Sequence, residues 1–388
     1  MTEKLFYADS FMKEFDSVVL SCTEDKKGWA VVLEKTAFYP EGGGQPADHG
    51  VLCFDGGSAN VTDTREKGGV IVHYTDREIA VGTQVHGVID WDRRFDFMQQ
   101  HTGEHMFSGV VNSMFGFNNV GFHLSERDNV VDFDGPLTKE DIKAVMDRCN
   151  EYVWADQAVE TGFPENVKEL EYRSKKELQG EIRIVRTGAA DICACCGTHT
   201  ATTSQAGPVV ALNSQAYKGG TRISILCGKR AVEYLKNRND DCYYISHRLS
   251  VPVENITQAV DARMEEIGQL KYALANAKRQ LMALWAENAQ VADDICIMVK
   301  EDLSSGEIQS FAAMLSEKAK TAVVLSPQGE KGGKICIIST VYDTNRLGRH
   351  ISGVLGGKGG GRPGTYQGNV DTAADEKALR EMVESFGK

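Results

Sequence analysis

His101 and His105 stand four residues apart in the segment H-T-G-E-H. On a helix that spacing puts both imidazoles on one face, close enough to share an ion. Two ligands do not complete a site, and most isolated pairs of this kind bind no metal. Further along, the chain offers C-A-C-C-G-T-H-T, in which Cys195 and His199 have Cys-x-x-x-His spacing and Gly197 permits a tight turn between them. His101, His105, Cys195 and His199 form a nitrogen-and-sulfur set suited to tetrahedral Zn2+, one ion per chain. Cys193 and Cys196 are alternative thiolates. Such a set could be a closed structural site, or a catalytic one that keeps a position for water or substrate.

The rest of the chain must position these residues. With 388 residues, 41% hydrophobic and 25% charged, two to four globular domains are expected at roughly 100–200 residues each. No apolar run reaches the roughly 18 residues that suggest a spanning helix, so no membrane association is expected. The start, MTEKLFYADSFMKEF, lacks a basic segment followed by an apolar one, which leads to an expected cytoplasmic location. Seven of the ten cysteines are scattered singly and read as reduced thiols; the other three crowd into Cys193–Cys196 and read as metal or reactive chemistry. The net charge of −12 argues against broad, non-specific nucleic-acid binding. Local basic stretches remain: residues 216–238 hold six Lys or Arg against one Glu, and Lys331 to Arg362 is also basic.

From about 10 to 92, short β-branched runs alternate with Gly and Asp turns: SVVLSCTED, WAVVLEKTAFY, GVLCFD, GGVIVHYTD and TQVHGVIDWD. This pattern predicts a small barrel or curled sheet. A helix is expected from near Arg93, past His105, to about Met114. Strands follow around VGFHLSERDNVVDFD, with a turn at Glu126 to Asn129. Thr138 opens a further helix with Asp141 as the box acid. Ile256, Val260, Ile267, Leu270, Leu274, Ala277, Leu281 and Leu284 keep a four-then-three spacing, interrupted at Arg263. That predicts a long helix, either a coiled-coil arm or one packed on its own chain. From about 293, strands alternate with an amphipathic helix, then the glycine-rich GGKGGGRPGTYQGNV and a last helix from about Ala373. The expected fold is α+β and multidomain. It comprises a small N-terminal β-barrel (1–92), an α+β domain holding the zinc site (93–245), a long helical linker (246–292) and a C-terminal α/β domain (293–388).

Taken together, R-F-D-F-M-Q-Q-H-T-G-E-H and C-C-G-T-H resemble the paired zinc motifs of the alanyl-tRNA synthetase editing domain and its freestanding AlaX-type relatives. The usual second motif of these relatives is Cys-Gly-Gly-Thr-His; here Cys196 replaces the first glycine. T-A-F-Y-P-E-G-G-G-Q-P-A-D-H-G, Thr36 to Gly50, resembles the glycine-rich motif of the domain before the editing core. V-G-F-H-L-S, Val120 to Ser125, resembles the strand lining the pocket in the AlaX-type form. The long helix and G-G-K-G-G-G-R-P-G-T-Y-Q-G-N, Gly356 to Asn369, resemble the synthetase's C-terminal domain, a fold shared with DHH-class phosphoesterases. Asp48-His49-Gly50 is not the DHH signature, which argues against nuclease chemistry. No P-loop appears, and the segment before Thr36 is too short for an aminoacylation domain, so a freestanding editor is expected.

The resemblance implies hydrolysis of the ester joining serine, and also glycine, to alanine-specific tRNA. It also implies tRNA contact and dimerisation through the C-terminal domain. The ion could lower the pKa of a bound water toward about 7, or hold the substrate's amino group or hydroxyl while another group activates water. Two further readings stay open: a non-catalytic tRNA-binding protein with structural zinc, and a deacylase of seryl-tRNA of threonine type.

Three residues are candidates for catalytic work, each with a plainer alternative. Glu104 adjoins His105 in sequence but cannot share its helix face, so it also reads as a solvated or supporting residue. His123 also reads as a satisfied barrel histidine. Thr36, with Gln45 and Asp48, also reads as polar capping of a turn. For tRNA contact the candidates are Gly42, Gly43, Gly44 and Gln45, where glycine lets backbone approach the terminal adenosine, together with Thr198, Lys358 and Arg362. Telling serine from alanine calls for a buried polar group near the zinc, for which Thr36 and Thr198 are the candidates.

Overall fold

The computed structural model describes residues 1–127, 129–174, 181–329 and 332–386. Asp128, in the turn expected at Glu126 to Asn129, and Lys331, the first residue of the basic tail stretch, lie outside the described residues. The chain divides into two units, Met1–Ile245 and Ser246–Lys388.

The first unit begins with a closed six-stranded antiparallel barrel. Around it run Glu14–Asp25, Gly28–Leu33, Val70–Thr75, Gly57–Lys67, Gly50–Phe54 and Gln84–Ile89, which pairs back onto the first strand. Alternation places Val19, Val31, Leu33, Leu52, Val61 and Val85 inside. The sequence pattern missed the strand Gly57–Lys67. Its inward positions are Ala59, Val61 and Thr64, too small and too polar to stand out, and a bulge between Val61 and Asp63 shifts the alternation.

Asp90 caps the helix Trp91–Phe115 by accepting from the Arg93 backbone N–H, and Gly116 ends it in the left-handed region. Fifteen of its residues are buried, His101 to Val111 without a break. It packs with the helix Lys139–Ala155 on a four-stranded sheet ordered Val209–Tyr217, Gly220–Cys227, Asn129–Phe133 and Asn119–Leu124. The Thr138–Asp141 capping box is present. A three-stranded sheet, Val159–Gly162, Ile184–Thr187 and Asp191–Ala194, completes the set and leads into the cysteine motif. A 22-residue helix, Gly228–Leu249, follows; nothing in the sequence reading anticipated it.

In the second unit the long helix spans Ile256–Glu287. The residues with heptad spacing, among them Val260, Ile267, Leu270, Leu274, Leu281 and Leu284, are exposed. Met282 and Ala286, outside that seam, are the buried ones; they belong to a core with Ile308, Phe311 and Leu315. The five-stranded sheet runs Ile295–Val299, Thr321–Pro327, Gly333–Ser339, Thr365–Val370 and Lys358–Gly360, with only the first pair parallel. Alternate residues feed two cores. Cys296, Ala322 and Val324 meet the helix Ser305–Ser316 on one face, and Ile297, Val323 and Ile337 meet the helices Thr344–Leu355 and Glu376–Phe386 on the other. Among the described residues, no helix is long and apolar enough to cross a membrane.

Candidate metal centre

His101 and His105 lie one turn apart on the buried helix, their ring centroids separated by 5.2 Å. The loop after Asp191–Ala194 brings Cys195 and His199 to the same point, and all four donor atoms lie within 4.8 Å of one another. Cys195 Sγ is 3.4 Å from His101 Nε2, close to the roughly 3.3–3.8 Å edge of a tetrahedron with zinc-length bonds. Gly197 N–H donates to the sulfur at 3.3 Å. The turn needs glycine there, because a Cβ on Gly197 would stand 2.2 Å from His101 Cε1.

The electrostatics suit a ligand set. Burial, the largest influence, pushes the Cys195 thiol up, but the adjacent His101 and His105 imidazoles overcome it and hold the thiol well below its ordinary range. Burial pushes His199 down to about 3, with His101 acting the same way. Burial also opposes charge on His105, but the Cys195 thiolate and the Asp191 carboxylate outweigh it and hold its pKa well above the usual value. His199 Nε2 is buried with no hydrogen-bond partner. A buried orphan acceptor of this kind is costly, and a metal at the centre of the four donors would satisfy it. The residues therefore fit Zn2+.

Each imidazole is braced from behind. Gln45 Oε1 accepts from His101 Nδ1 at 2.9 Å and from the Thr198 N–H at 3.1 Å, while Gln45 Nε2 donates to Thr198 Oγ1 at 2.7 Å. His105 Nδ1 lies 3.2 Å from Asp191 Oδ2. Arg173 holds Asp191 in turn, with Nε and Nη2 donating to its two oxygens at 2.7 and 2.8 Å. His199 Nδ1 lies 3.2 Å from Thr102 Oγ1, which also accepts from the Thr200 N–H. Such partners fix tautomer and ring orientation, leaving the far nitrogen for the metal. His105, Asp191 and Cys193 form a second close trio, but Arg173 already engages both Asp191 oxygens, so this trio serves as support.

A cavity of about 580 Å³ opens on the site, lined by His101, His105, Cys195, Cys193, Phe122 and Gly44 among others. Gly44 is left-handed (φ +84°), and a Cβ there would stand 2.6 Å from the Phe122 ring, so glycine lets the loop close against the wall of the cavity. The loop is also pinned through Asp48. Its carboxylate forms a buried ion pair with Arg94 and accepts from the Tyr39 N–H at 2.6 Å.

The expected site residues divide accordingly. The four ligand candidates converge, Gly43 and Gly44 line the cavity, and Gly42 closes a small turn with Gln45. Gln45 and Thr198 are buried beneath the ligands, bonded to each other, and do not line the cavity. Thr36 is inside the barrel, bonded to His73 Nε2 at 2.8 Å. His123 is exposed on its strand, while its neighbour Phe122 turns to the cavity. Glu104 is buried rather than solvated, with Oε1 accepting from Ser108 Oγ and Asn119 Nδ2. None of these three candidates for catalysis is in the cavity wall. Cys193 lines the cavity from a buried position, and Cys196 lies at its exposed rim. Lys358 and Arg362 are exposed in the second unit.

Gln45 as a brace for His101, and Asp191, Arg173 and Thr102, were missed from sequence. Period-two alternation along D-I-C-A could have placed Asp191 and Cys193 on one face. Nothing local indicates Arg173.

Three family models match parts of the chain: tRNA synthetases class II (A) over residues 4–93, the threonyl and alanyl tRNA synthetase second additional domain over 182–224, and the DHHA1 domain over 292–388. The alanine–tRNA ligase of Ignicoccus hospitalis is 30% identical over 100% of this chain and 42% of its own length. The chain thus spans about two fifths of the ligases it matches. The alanyl-tRNA editing protein Aarsd1 is 26% identical in both Danio rerio and Mus musculus, over 97% of this chain and 95% and 96% of those proteins. Among solved structures, the C-Ala domain from Aquifex aeolicus alanyl-tRNA synthetase aligns with 25% of this chain and 95% of that one, at 20% identity and a TM-score of 0.23.

Proposed function

This chain resembles the freestanding alanyl-tRNA editing proteins over nearly its whole length, and from that premise we propose that it is an aminoacyl-tRNA deacylase. It hydrolyses the ester of mischarged alanine tRNA, with seryl-tRNA as the main substrate and glycyl-tRNA as a second. The observation that carries this reading is that His101, His105 and Cys195 line a cavity. A purely structural zinc site has no need of such an opening.

Zn2+ held by His101, His105, Cys195 and His199 would supply Lewis acidity at the cavity floor. The protein's own groups do the positioning. Gln45 accepts from His101 Nδ1 and leaves its Nε2 facing Cys195, and the Asp191 carboxylate stands 3.2 Å from His105 Nδ1. Arg183 donates to the Cys195 and Gly197 carbonyls at 3.0 and 2.9 Å and holds the cysteine loop in its turn. The backbone of Gly43 and Gly44 and the ring of Phe122 close the wall beside His101 and limit the water that reaches the ester. Neither Thr36 nor Thr198 lines the cavity. Reading of the serine hydroxyl is therefore assigned to the short polar groups on the wall, Ser174 and Cys193.

Four protein donors also suit a structural zinc, and one family model spans threonyl as well as alanyl synthetases. A single assay separates these readings from the proposal. The protein is incubated with seryl- and alanyl-tRNA of alanine type, and with seryl-tRNA of threonine type. Selective hydrolysis of the first is expected, with loss of zinc and of hydrolysis together in His105→Ala. No hydrolysis above buffer with zinc supplied would leave the non-catalytic reading, and cleavage of only the threonine-type substrate would change the specificity.

A further inference from the structure

Glu104 precedes His105 in the chain, yet it is neither a candidate ligand nor part of the cavity wall. Its side chain belongs to a separate buried cluster with Ser108 and Asn119. Glu104 Oε1 accepts from Ser108 Oγ at 2.6 Å and from Asn119 Nδ2, and Asn119 Nδ2 also donates to Ser108 Oγ at 2.9 Å. A carboxylate this deep in the fold is costly unless hydrogen bonds hold it.

The cluster reaches the cavity through the strand. Asn119 opens the strand Asn119–Leu124, and the next three residues, Val120, Gly121 and Phe122, line the metal cavity. Asn119 Oδ1 turns back to accept from the Gly121 N–H at 3.0 Å. Pairing with the neighbouring strand slips at the same place: Asn119 faces Phe133 and Gly121 faces Asp132, with Val120 between them. A bulge of this kind re-aims the side chains that follow it. Beyond it Phe122 turns to the cavity, its ring centroid 5.4 Å from that of His101.

Apolar packing alone would not orient Asn119, because it has no direction. A carboxylate does, because it only accepts. With the amide NH2 drawn to Glu104, the Asn119 carbonyl is left for the Gly121 N–H. The helix that carries His101 and His105 thereby sets the conformation of the strand opposite them.

We propose that Glu104 is a positioning residue for the cavity wall: through Asn119 it fixes the bulge that carries Gly121 and Phe122 to their places beside His101. Its effect on catalysis rests on the deacylase reading; its effect on the strand does not. Contacts that the wall makes alike with substrate and transition state change KM and leave kcat, so the residue acts on substrate binding and not on the metal.

The test compares Glu104→Leu, which removes the acceptor, with Glu104→Gln, which keeps it without the charge. In Glu104→Leu the Gly121 amide should exchange with solvent at least about tenfold faster, while zinc content and the protection of the Val110 and Val111 amides stay as in wild type. KM for seryl-tRNA of alanine type should rise roughly 10- to 100-fold, the span of one hydrogen bond to a charged group, with kcat within about twofold. Glu104→Gln should restore both readouts. Asn119→Ala cuts the same link from the strand side and should raise KM alike at full zinc content; it decides the matter if Glu104→Leu does not fold. Wild-type Gly121 exchange in Glu104→Leu overturns the proposal, as does an unchanged KM in Asn119→Ala. Zinc loss in Glu104→Leu would make the residue a support of the ligands and also overturns it. Hydrogen exchange needs no activity, which keeps the two ideas apart. A chain that hydrolyses no aminoacyl-tRNA while its Gly121 amide depends on Glu104 sinks only the deacylase reading. An active enzyme whose KM and Gly121 exchange ignore Glu104→Leu sinks only this inference.

Discussion

Gln45 Oε1 lies 2.9 Å from His101 Nδ1, across 56 residues of sequence, and both side chains are buried. The glycine-rich loop thereby reaches the metal centre through a side chain as well as through its backbone. A neutral His101 that binds zinc through Nε2 must carry its proton on Nδ1, and Gln45 accepts that proton's hydrogen bond.

Removing the acceptor tests this link. Gln45→Leu leaves the His101 Nδ1–H and the Thr198 N–H without their partner, and zinc affinity is expected to fall about 10- to 100-fold. Gln45→Glu keeps an acceptor and should lose less. Competition against a chromophoric chelator reads both, and an unchanged affinity in Gln45→Leu would remove the brace from the account.

Gly197 gives a steric test of the same centre. A Cβ there would meet His101 Cε1 at 2.2 Å and Nδ1 at 2.4 Å, so Gly197→Ala must displace the ring or the cysteine loop. Overpacking of this kind costs about 1–3 kcal/mol. Metal analysis should show zinc loss while circular dichroism shows a retained fold. Full zinc occupancy in the variant would contradict the geometry.

His73 makes the barrel sensitive to pH. It is fully buried, Nδ1 donating to the Val31 carbonyl at 3.1 Å and Nε2 accepting from Thr36. Burial lowers its pKa to about 4, from an ordinary 6.5. Above pH 6.5 the ring is neutral in both folded and unfolded chains. As pH falls toward 4 only the unfolded chain takes up the proton, so stability is lost across that window, by roughly 3 kcal/mol in total. Denaturant melts of wild type and His73→Gln between pH 7 and 4.5 should show a flatter profile in the variant. Parallel profiles would argue against this role.

The second unit offers an electrostatic test. Lys358 and Arg362 are exposed in the glycine-rich segment. If they contact tRNA phosphates, Lys358→Ala and Arg362→Ala should each lower the slope of log affinity against log salt by about 0.7–1, with no change in preference among tRNA sequences. Filter binding at several salt concentrations measures this, and an unaltered slope in the double variant would exclude the contact.

Local spacing nominated the candidate ligand set and left Cys193 and Cys196 open as alternative thiolates; the fold brings Cys195 together with the three histidines. His101 and His105 at i, i+4 and Cys195 and His199 at i, i+4 are patterns whose chemistry depends on residue type and interval, and both can be read without knowing the fold. Hydrophobic alternation likewise marked the barrel strands with strong inward residues, but not Gly57–Lys67, whose buried face carries alanine and threonine. What a side chain faces across the fold was not encoded locally. Glu104 could be solvated or supporting on spacing alone; packing against Asn119 and Ser108 buried it. Thr36 flanks the same glycines as Gln45, yet one turns into the barrel and the other toward the candidate ligand His101. The heptad spacing of Ile256–Glu287 predicted a seam, but it is Met282 and Ala286, off that seam, that meet a core. Sequence determined which donors the chain owns and how neighbours in the chain are spaced. Tertiary structure decided which of them meet, because burial is set by the surface brought opposite each residue, and that surface comes from distant parts of the chain.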